Sequence, residues 1–410
     1  MYQQQTLANG IRFYGEYIPQ ARTASVGIWV KAGSATELEQ ENGLSHFLEH
    51  LFFKGTETRN YKQIAAEFDN LGIQSNAYTS KEMTCYYVKA IDSKLSEAVD
   101  ILTDMFCHSV FPEKEVEKER GVILEEIAMS LDTPDDLLMD RLSEEFFAGT
   151  ELSRTILGPA ENIRTFSRAQ ILDYRSKHYY GENIVVAAVG NYDIKKLLAE
   201  LEEKLKSVPS KGEGRKYVPA IDWKPVKKEF CVHKDIEQAH LGIAFPGPGI
   251  GDADRYAFSI LANVLGGGMS SRLFQKVREE LGAAYSVYAY PSMYYQAGAL
   301  VIYAGISAEK TELVKQAILR EVRVLRENGI SEEELEHTKT QITASYIMGQ
   351  ESTSAKMNQL GRNALLLERI IPEEEMLANV QNVTLKDMQR LTERVLQEEV
   401  MCTGWVLPQE

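Results

Sequence analysis

Cysteine and histidine are both scarce in this sequence of 410 residues. The four cysteines lie far apart, without the Cys-x-x-Cys spacing of a thiolate metal site, and they give no disulfide framework. We therefore expect reduced thiols in a cytosol-like compartment. Because the chain has only seven histidines, two of them at the spacing of one helical turn indicate a candidate functional site.

Long apolar runs and basic runs are also missing. No stretch approaches the roughly 20 apolar residues that a membrane-spanning helix needs. The first residues show no apolar segment behind a basic start, so we expect no signal peptide, no membrane partner and a cytoplasmic, bacterial protein. The net charge is -15 and the pI is about 5.1, which argues against a nucleic-acid partner. Hydrophobic residues at 44% and charged residues at 26% are typical of a soluble globular protein.

The length suits two domains of about 200 residues each. Residues 207–225 are rich in proline, glycine, serine and lysine, and they show no hydrophobic period. Such a composition is typical of a linker. We therefore predict a first domain at 1–206, a linker at 207–225 and a second domain at 226–410.

The pattern of the first domain returns after the linker. SVGIWVKAGS corresponds to HLGIAFPGPG, CYYVKAIDSKLSEAVDILTDMF corresponds to LVIYAGISAEKTELVKQAILREV, and FPEKEVEKERGVILEEI corresponds to ISEEELEHTKTQITASY. Strand-like and helix-like segments follow one another in the same order in both copies. This predicts an α+β fold of two related halves, each a mostly antiparallel sheet with helices on one face. Two unrelated mixed domains are the alternative.

The stretch GLSHFLEHLFFKGT, residues 43–56, contains the histidine pair. Its apolar residues recur at helical spacing, so His46 and His50 lie one turn apart on one face and can converge on one ion. Glu49 reaches the same neighbourhood. Imidazole ligands with a nearby carboxylate suit zinc with one position open for water. The alternative is a helix whose histidines are half-buried and hydrogen-bonded. The second half has LANVLGGGMSSRLF at the corresponding place, without a histidine pair.

A catalytic zinc needs a third protein ligand. The helix that begins at Pro112 carries Glu119 and Glu126, which are seven residues apart and therefore lie on one face. A carboxylate on a partly buried face needs a charge partner, and a metal would serve. We expect most other glutamates of this helix to be solvated. Spacing alone does not separate Glu125 from Glu126.

The pentapeptide HFLEH is the His-x-x-Glu-His signature of the inverzincins. Together with NAYTSKEMTCYY, ERGVILEEI and GGGMSSRLFQKVREELGAAYSV it resembles the pitrilysin family of zinc peptidases, over nearly the whole chain. The sequence is most similar to the short-subunit branch, which includes the mitochondrial processing peptidase β subunit and bacterial relatives. The resemblance implies a zinc endopeptidase that cuts extended or presequence-like peptides.

The resemblance also assigns roles at the candidate centre. It implies that His46, His50 and Glu126 bind one zinc ion per chain. Glu49 is then the general base. Glu119 is expected to orient a ligand histidine or adjust its basicity.

Further residues are implied to contact the substrate. Asn76 and Ala77 stand in a segment that can form an edge strand pairing with peptide backbone, or an ordinary interior strand. Phe53 either lines a side-chain pocket or belongs to the core. In the second half, the resemblance implies that Arg278 and Tyr285 reach the substrate and its developing oxyanion. Without the resemblance, Arg278 would be interpreted as an exposed charge on a helix.

One chain carries both HFLEH and the glycine run GGG. In the mitochondrial enzyme these features lie on two different subunits, so the resemblance implies a homodimer here. Two other functions stay open. The chain could be a catalytically silent structural or peptide-binding subunit of the same fold, or a metal-dependent hydrolase that acts on something other than peptides.

Overall fold

A computed structural model describes residues 2–214 and 223–409. Residues 215–222, the middle of the predicted linker, lie outside the described residues. Over the described ranges the chain forms eleven strands and fourteen α-helices. None of these helices combines the length and the apolar character needed to span a membrane.

The strands are β1 Tyr2–Thr6, β2 Arg12–Tyr17, β3 Thr23–Val30, β4 Gln74–Thr79, β5 Thr84–Ile91, β6 Ile184–Gly190, β7 Lys228–Lys234, β8 Gln238–Gly247, β9 Ala284–Met293, β10 Gly298–Ser307 and β11 Cys402–Pro408. The first eight helices are α1 Leu44–Leu51, α2 Tyr61–Leu71, α3 Leu95–His108, α4 Glu113–Asp132, α5 Pro134–Phe146, α6 Ala160–Thr165, α7 Arg168–His178 and α8 Ile194–Lys204. The others are α9 Arg255–Gly266, α10 Thr311–Asn328, α11 Glu332–Gly349, α12 Thr353–Leu367, α13 Glu373–Gln381 and α14 Leu385–Val395. A π-helical segment, Phe274–Glu280, precedes β9.

The strands form two mixed sheets whose topologies correspond. The first sheet has the order β1-β2-β6-β3-β5-β4, and the second has the order β7-β11-β8-β10-β9. In each sheet one pair is parallel, β2 with β6 and β7 with β11, and the other described pairs are antiparallel. Strands β2 to β6 therefore repeat as β7 to β11, in the same chain order and with the same neighbours. This confirms the predicted α+β fold with two related, mostly antiparallel halves.

Strand β1 has no counterpart in the second sheet and was not predicted. Its sequence, YQQQT, lacks the β-branched and apolar alternation that marks a half-buried strand. It pairs along its whole length with β2 at the edge of the first sheet. The strand therefore depends on this cross-strand pairing rather than on its own residue preferences.

Helices cover both faces of the first sheet, whereas the sequence predicted helices on one face only. Ile28 and Trp29 are neighbours on β3, so their side chains point to opposite faces. Ile28 joins the apolar core that includes residues of α1 and α3. Trp29 is fully buried and lies against Gly361 of α12, where an added Cβ would approach the indole ring to 2.5 Å. Burial on both faces explains why β6 reads as an uninterrupted apolar run.

The described residues divide into two compact units. The first comprises 2–127, 154–214 and 347–371, and the second comprises 128–153, 223–346 and 372–409. Helix α5 thus belongs with the second sheet, where it packs on β8 and β11, and α12 belongs with the first. The predicted domains at 1–206 and 226–410 stay a prediction, and the compact units differ from them in these two segments.

Candidate metal centre

Helix α1 carries the histidine pair, and a buried carboxylate fixes its first turn. Glu37 is completely buried and accepts hydrogen bonds from the backbone N–H groups of Gly43, at 2.8 Å, and Ser45, at 2.6 Å. Its Oε2 also accepts from Asn42 Nδ2 at 2.9 Å. A carboxylate at this end of a helix satisfies otherwise unpaired N–H groups and complements the helix dipole. Gly43 has φ +107°, and an added Cβ would lie 2.7 Å from Ile163 Cδ1, so glycine is required there.

His46, His50 and Glu126 converge. The two imidazole rings have centroids 4.6 Å apart, and the Nε2 atom of each lies 3.7 Å from Glu126 Oε2. The three potential ligand atoms all lie within 4.8 Å of one another. Glu126 comes from α4, and its neighbour Glu125 is exposed and outside this group. The structure therefore separates the two glutamates that spacing could not.

The residues present fit a zinc ion. Burial, together with the charge of His50, lowers the pKa of His46 to about 3, so this imidazole is neutral, which is the form that binds metals. Its Nδ1 atom is buried and makes no hydrogen bond within the described part of the chain. Two imidazoles and one carboxylate are a ligand set of catalytic zinc sites that keep a position open.

Glu119 stands behind His50. Its Oε2 lies 3.2 Å from His50 Nδ1, and its Oε1 lies 2.8 Å from the ammonium of Lys54. Burial by itself would raise the pKa of Glu119, but the hydrogen bonds to His50 and Lys54 outweigh burial and lower it. The ionised carboxylate therefore accepts the Nδ1 proton of His50 and leaves Nε2 directed toward Glu126. Lys54 was missed at the sequence level, although it stands in the quoted motif.

Glu49 lies beside the three convergent groups without being one of them. Its Oε2 accepts a hydrogen bond of 2.6 Å from the hydroxyl of Thr79, the last residue of β4. Burial raises the pKa of Glu49, and hydrogen bonds from Thr79 and the charge of His50 oppose this rise. A carboxylate made more basic than usual, next to a candidate metal site, is suited to accept a proton. Thr79 stands in the quoted motif NAYTSKEMTCYY, but its contact with Glu49 was not predicted.

Asn76 and Ala77 lie on β4, which ends the first sheet in the described residues. Asn76 Oδ1 accepts the backbone N–H of Ala77 at 2.9 Å. That N–H therefore does not serve the pairing with β5 and faces the free edge of the sheet. Of the two alternatives drawn from the sequence, the edge strand is the one found, while its pairing with a peptide stays a prediction. Phe53 is partly buried and packs against the core.

Arg278 and Tyr285 lie in the second compact unit. Both are exposed. The guanidinium carbon of Arg278 lies 5.6 Å from the ring centroid of Tyr285 and 4.8 Å from that of Phe274. These distances allow cation–π contacts. The structure thus brings Arg278 and Tyr285 together, and their predicted contact with a substrate stays a prediction.

Two models of known protein families match the sequence. Residues 12–160 match "Insulinase (Peptidase family M16)", and residues 165–342 match "Peptidase M16 inactive domain". The first range contains all three convergent residues of the candidate metal centre.

Curated relatives match nearly the whole chain. A Bacillus subtilis protein named uncharacterized zinc protease YmxG is 38% identical over 400 residues, which cover 97% of this chain and 97% of the relative. A Rickettsia bellii protein named uncharacterized zinc protease is 36% identical and covers 95% of this chain and 93% of its own. A Streptomyces coelicolor protein of the same description is 35% identical over 95% of this chain and 86% of its own.

Solved structures show the same fold at low sequence identity. A peptidase M16 inactive domain from Pseudomonas fluorescens has a TM-score of 0.92 at 20% identity and covers 100% of this chain and 98% of its own. A protease from Helicobacter pylori has a TM-score of 0.92 at 22% identity, and the match covers 100% of this chain and 99% of the protease. A chain of complex III2 from Candida albicans has a TM-score of 0.84 at 20% identity, and the match covers 99% of this chain and 95% of the other. Since the family models and the relatives together span most of the sequence, the chain belongs to peptidase family M16, which confirms the predicted relation to the pitrilysin family of zinc peptidases.

Proposed function

We propose that this protein is a zinc-dependent endopeptidase that hydrolyses extended peptides. The observation that carries the proposal is the position of Glu49, a half-buried carboxylate beside the convergent His46, His50 and Glu126. The names of the relatives as zinc proteases support it.

The residues of the candidate metal centre have separate roles in the proposed reaction. His46, His50 and Glu126 would hold one zinc ion, which lowers the pKa of a bound water from 15.7 to about 7 and polarises a carbonyl. Glu49 accepts a proton as the water attacks the peptide carbonyl, and it later passes that proton to the leaving amine nitrogen. Glu119 holds the Nδ1 proton of His50 and thereby keeps Nε2 free for the metal.

The free edge of β4 is the proposed platform for the substrate. An extended peptide can add to an exposed edge by backbone hydrogen bonds, with Asn76 and Ala77 contributing the first groups. Arg278 and Tyr285 would supply a cation and a phenol donor to the substrate and the developing oxyanion. Homodimerisation belongs to this proposal on the strength of the sequence resemblance, and a cytoplasmic location belongs to it on the strength of the scattered cysteines.

A catalytically silent subunit of the same fold is the second candidate. The likeness to a chain of complex III2 supports it, because that chain is part of a larger assembly. The model described as an inactive domain covers residues 165–342 only, where the second half has no histidine pair. The metal ligands and the base lie outside this range, so the first candidate is the better supported.

Glu49→Gln tests the proposal. Metal content and cleavage of an unstructured peptide are measured on the same preparations of the native and variant chains. We expect about one zinc per chain in both and at least a 100-fold loss of cleavage in the variant, as for removal of a general base. A native chain that holds zinc but cuts no peptide would favour the silent subunit. A native chain that binds no metal would contradict the ligand assignment.

A further inference from the structure

We propose that Thr79 is a positioning residue for Glu49, and that it joins the base to the edge strand β4. The inference rests on the proposed peptidase function and adds a residue that the sequence did not single out. Thr79 is close to neither His46 nor His50 in sequence, and it acts on the reaction only through the carboxylate that it contacts.

The contact itself is short and directional. The Thr79 hydroxyl lies 2.6 Å from Glu49 Oε2, within the 2.5–2.7 Å range of a hydroxyl donating to an ionised carboxylate. A carboxylate has no hydrogen to donate, so the hydroxyl must be the donor. This bond engages Oε2, and the backbone N–H of Thr79 also hydrogen-bonds the carboxylate.

The neighbouring Thr84 hydroxyl does not compete with Glu49 for the hydrogen of Thr79. Thr84, its partner on β5, donates its own hydroxyl hydrogen to the carbonyl of Ala32 at 2.9 Å. The oxygens of the Thr79 and Thr84 hydroxyls are 3.4 Å apart. Since each hydroxyl carries one hydrogen, the shorter contacts use both, and Thr79 is left to donate to Glu49.

The end of β4 is anchored on both faces of the sheet. Tyr78 and Thr79 are successive strand residues, so their side chains point to opposite sides. The Tyr78 hydroxyl accepts from Trp29 Nε1 at 3.2 Å and donates to Asn358 Oδ1 of α12 at 3.3 Å. On the other side Thr79 holds Glu49. The strand proposed to receive the peptide therefore also sets the orientation of the base.

This arrangement predicts a particular kinetic effect. Loss of the hydroxyl leaves the Glu49 carboxylate with the backbone N–H of Thr79 alone and so loosens its orientation. Misorientation of a reacting group slows the chemical step more than substrate binding. Since the hydroxyl of Thr79 is occupied by Glu49, its removal takes no bond away from the peptide. The change should appear in kcat and leave KM nearly unaltered.

Three variants of Thr79 test the inference. Thr79→Val and Thr79→Ala both remove the hydroxyl, and they differ in the size of the side chain that replaces it. Thr79→Ser keeps the hydroxyl. All three are assayed beside Glu49→Gln for zinc content, kcat and KM on one unstructured peptide. Valine is β-branched and suits a strand. We expect kcat to fall about 10-fold in Thr79→Val and Thr79→Ala, with KM within about 2-fold and zinc content unchanged. Thr79→Ser keeps the donor and should recover most of kcat.

The controls separate two kinds of failure. If Glu49→Gln is inactive while the valine and alanine variants both keep native kcat, Thr79 does not position the base. The same conclusion follows if Thr79→Ser is as slow as Thr79→Val, if KM rises with kcat unaltered, or if zinc is lost. If Glu49→Gln itself remains active, the proposed function is wrong and Thr79 has no base to position.

Discussion

Individual side chains at the candidate centre act in pairs that lie far apart in the sequence. His50 supplies a metal-directed Nε2 because Glu119 accepts at Nδ1, 69 residues further along the chain. Glu119 in turn is kept ionised by His50 and Lys54. A histidine pair on a helix therefore becomes a defined ligand pair only when the groups behind the rings are in place.

The third ligand can be tested by a pair of adjacent variants. We expect Glu126→Gln to lower zinc affinity by at least about 100-fold, because an amide replaces one of three protein ligands. Glu125→Gln is the matched control, since Glu125 lies next in sequence and is exposed. Competition with a chromogenic chelator measures both affinities. Equal weakening in the two variants, or no weakening in Glu126→Gln, would show that Glu126 is not a ligand.

Among the elements, α1 is the one that the site depends on most. It has only eight residues, and helices of this length are unstable alone. Its apolar residues are buried in the first core, and its first turn is held by Glu37. Packing and this buried carboxylate, rather than helix propensity, therefore place the histidines.

Removal of the Glu37 carboxylate should destabilise the fold and the metal site together. Glu37→Ala leaves the N–H groups of Gly43 and Ser45 without their side-chain acceptor and removes one of the two acceptors of the Asn42 amide. We expect the free energy of unfolding to fall by about 3 kcal/mol, with weaker zinc binding. Denaturant unfolding and chelator competition measure the two effects. Glu39→Ala, at an exposed glutamate on the same segment, is the control, and an equal loss there would contradict the assignment.

At the scale of the whole molecule, the two compact units are built from interrupted stretches of chain. Helix α12 completes the first unit from more than 300 residues away. It covers Trp29, and its Thr353 hydroxyl lies 3.0 Å from that of Ser25. The first sheet therefore cannot bury both of its faces with the N-terminal half alone.

A chain truncated after residue 214 tests this dependence. It retains the histidine motif but lacks α12, so the face around Trp29 would be exposed to water. We expect it to lose cooperative thermal unfolding by circular dichroism, since a large apolar face is left uncovered. A matched chain with residues 347–371 joined by a flexible linker should regain the transition. A truncated chain that melts cooperatively, with a Tm close to that of the matched chain, would contradict this account.

Much of the fold follows from local pattern. Strands β3 to β5 and helices α1, α3 and α4 lie where the patterns predicted them, and the repeated order of patterns corresponds to two sheets of the same topology. Strand β1 was not predicted because its polar sequence has no hydrophobic period. The sequence also did not predict that α5 belongs to the second unit and α12 to the first. Periodicity shows which face of a helix is apolar, but it does not show which sheet that face covers.

The sequence alone determined the histidine pair, since four-residue spacing on a helix sets two side chains on one face whatever surrounds them. It also determined the family, through motifs spread over the whole chain. The tertiary structure decided which glutamate meets the histidines, that Lys54 faces Glu119, and that Thr79 holds Glu49. Those contacts join residues tens of positions apart, and only the packing of strands and helices brings such groups within hydrogen-bond distance.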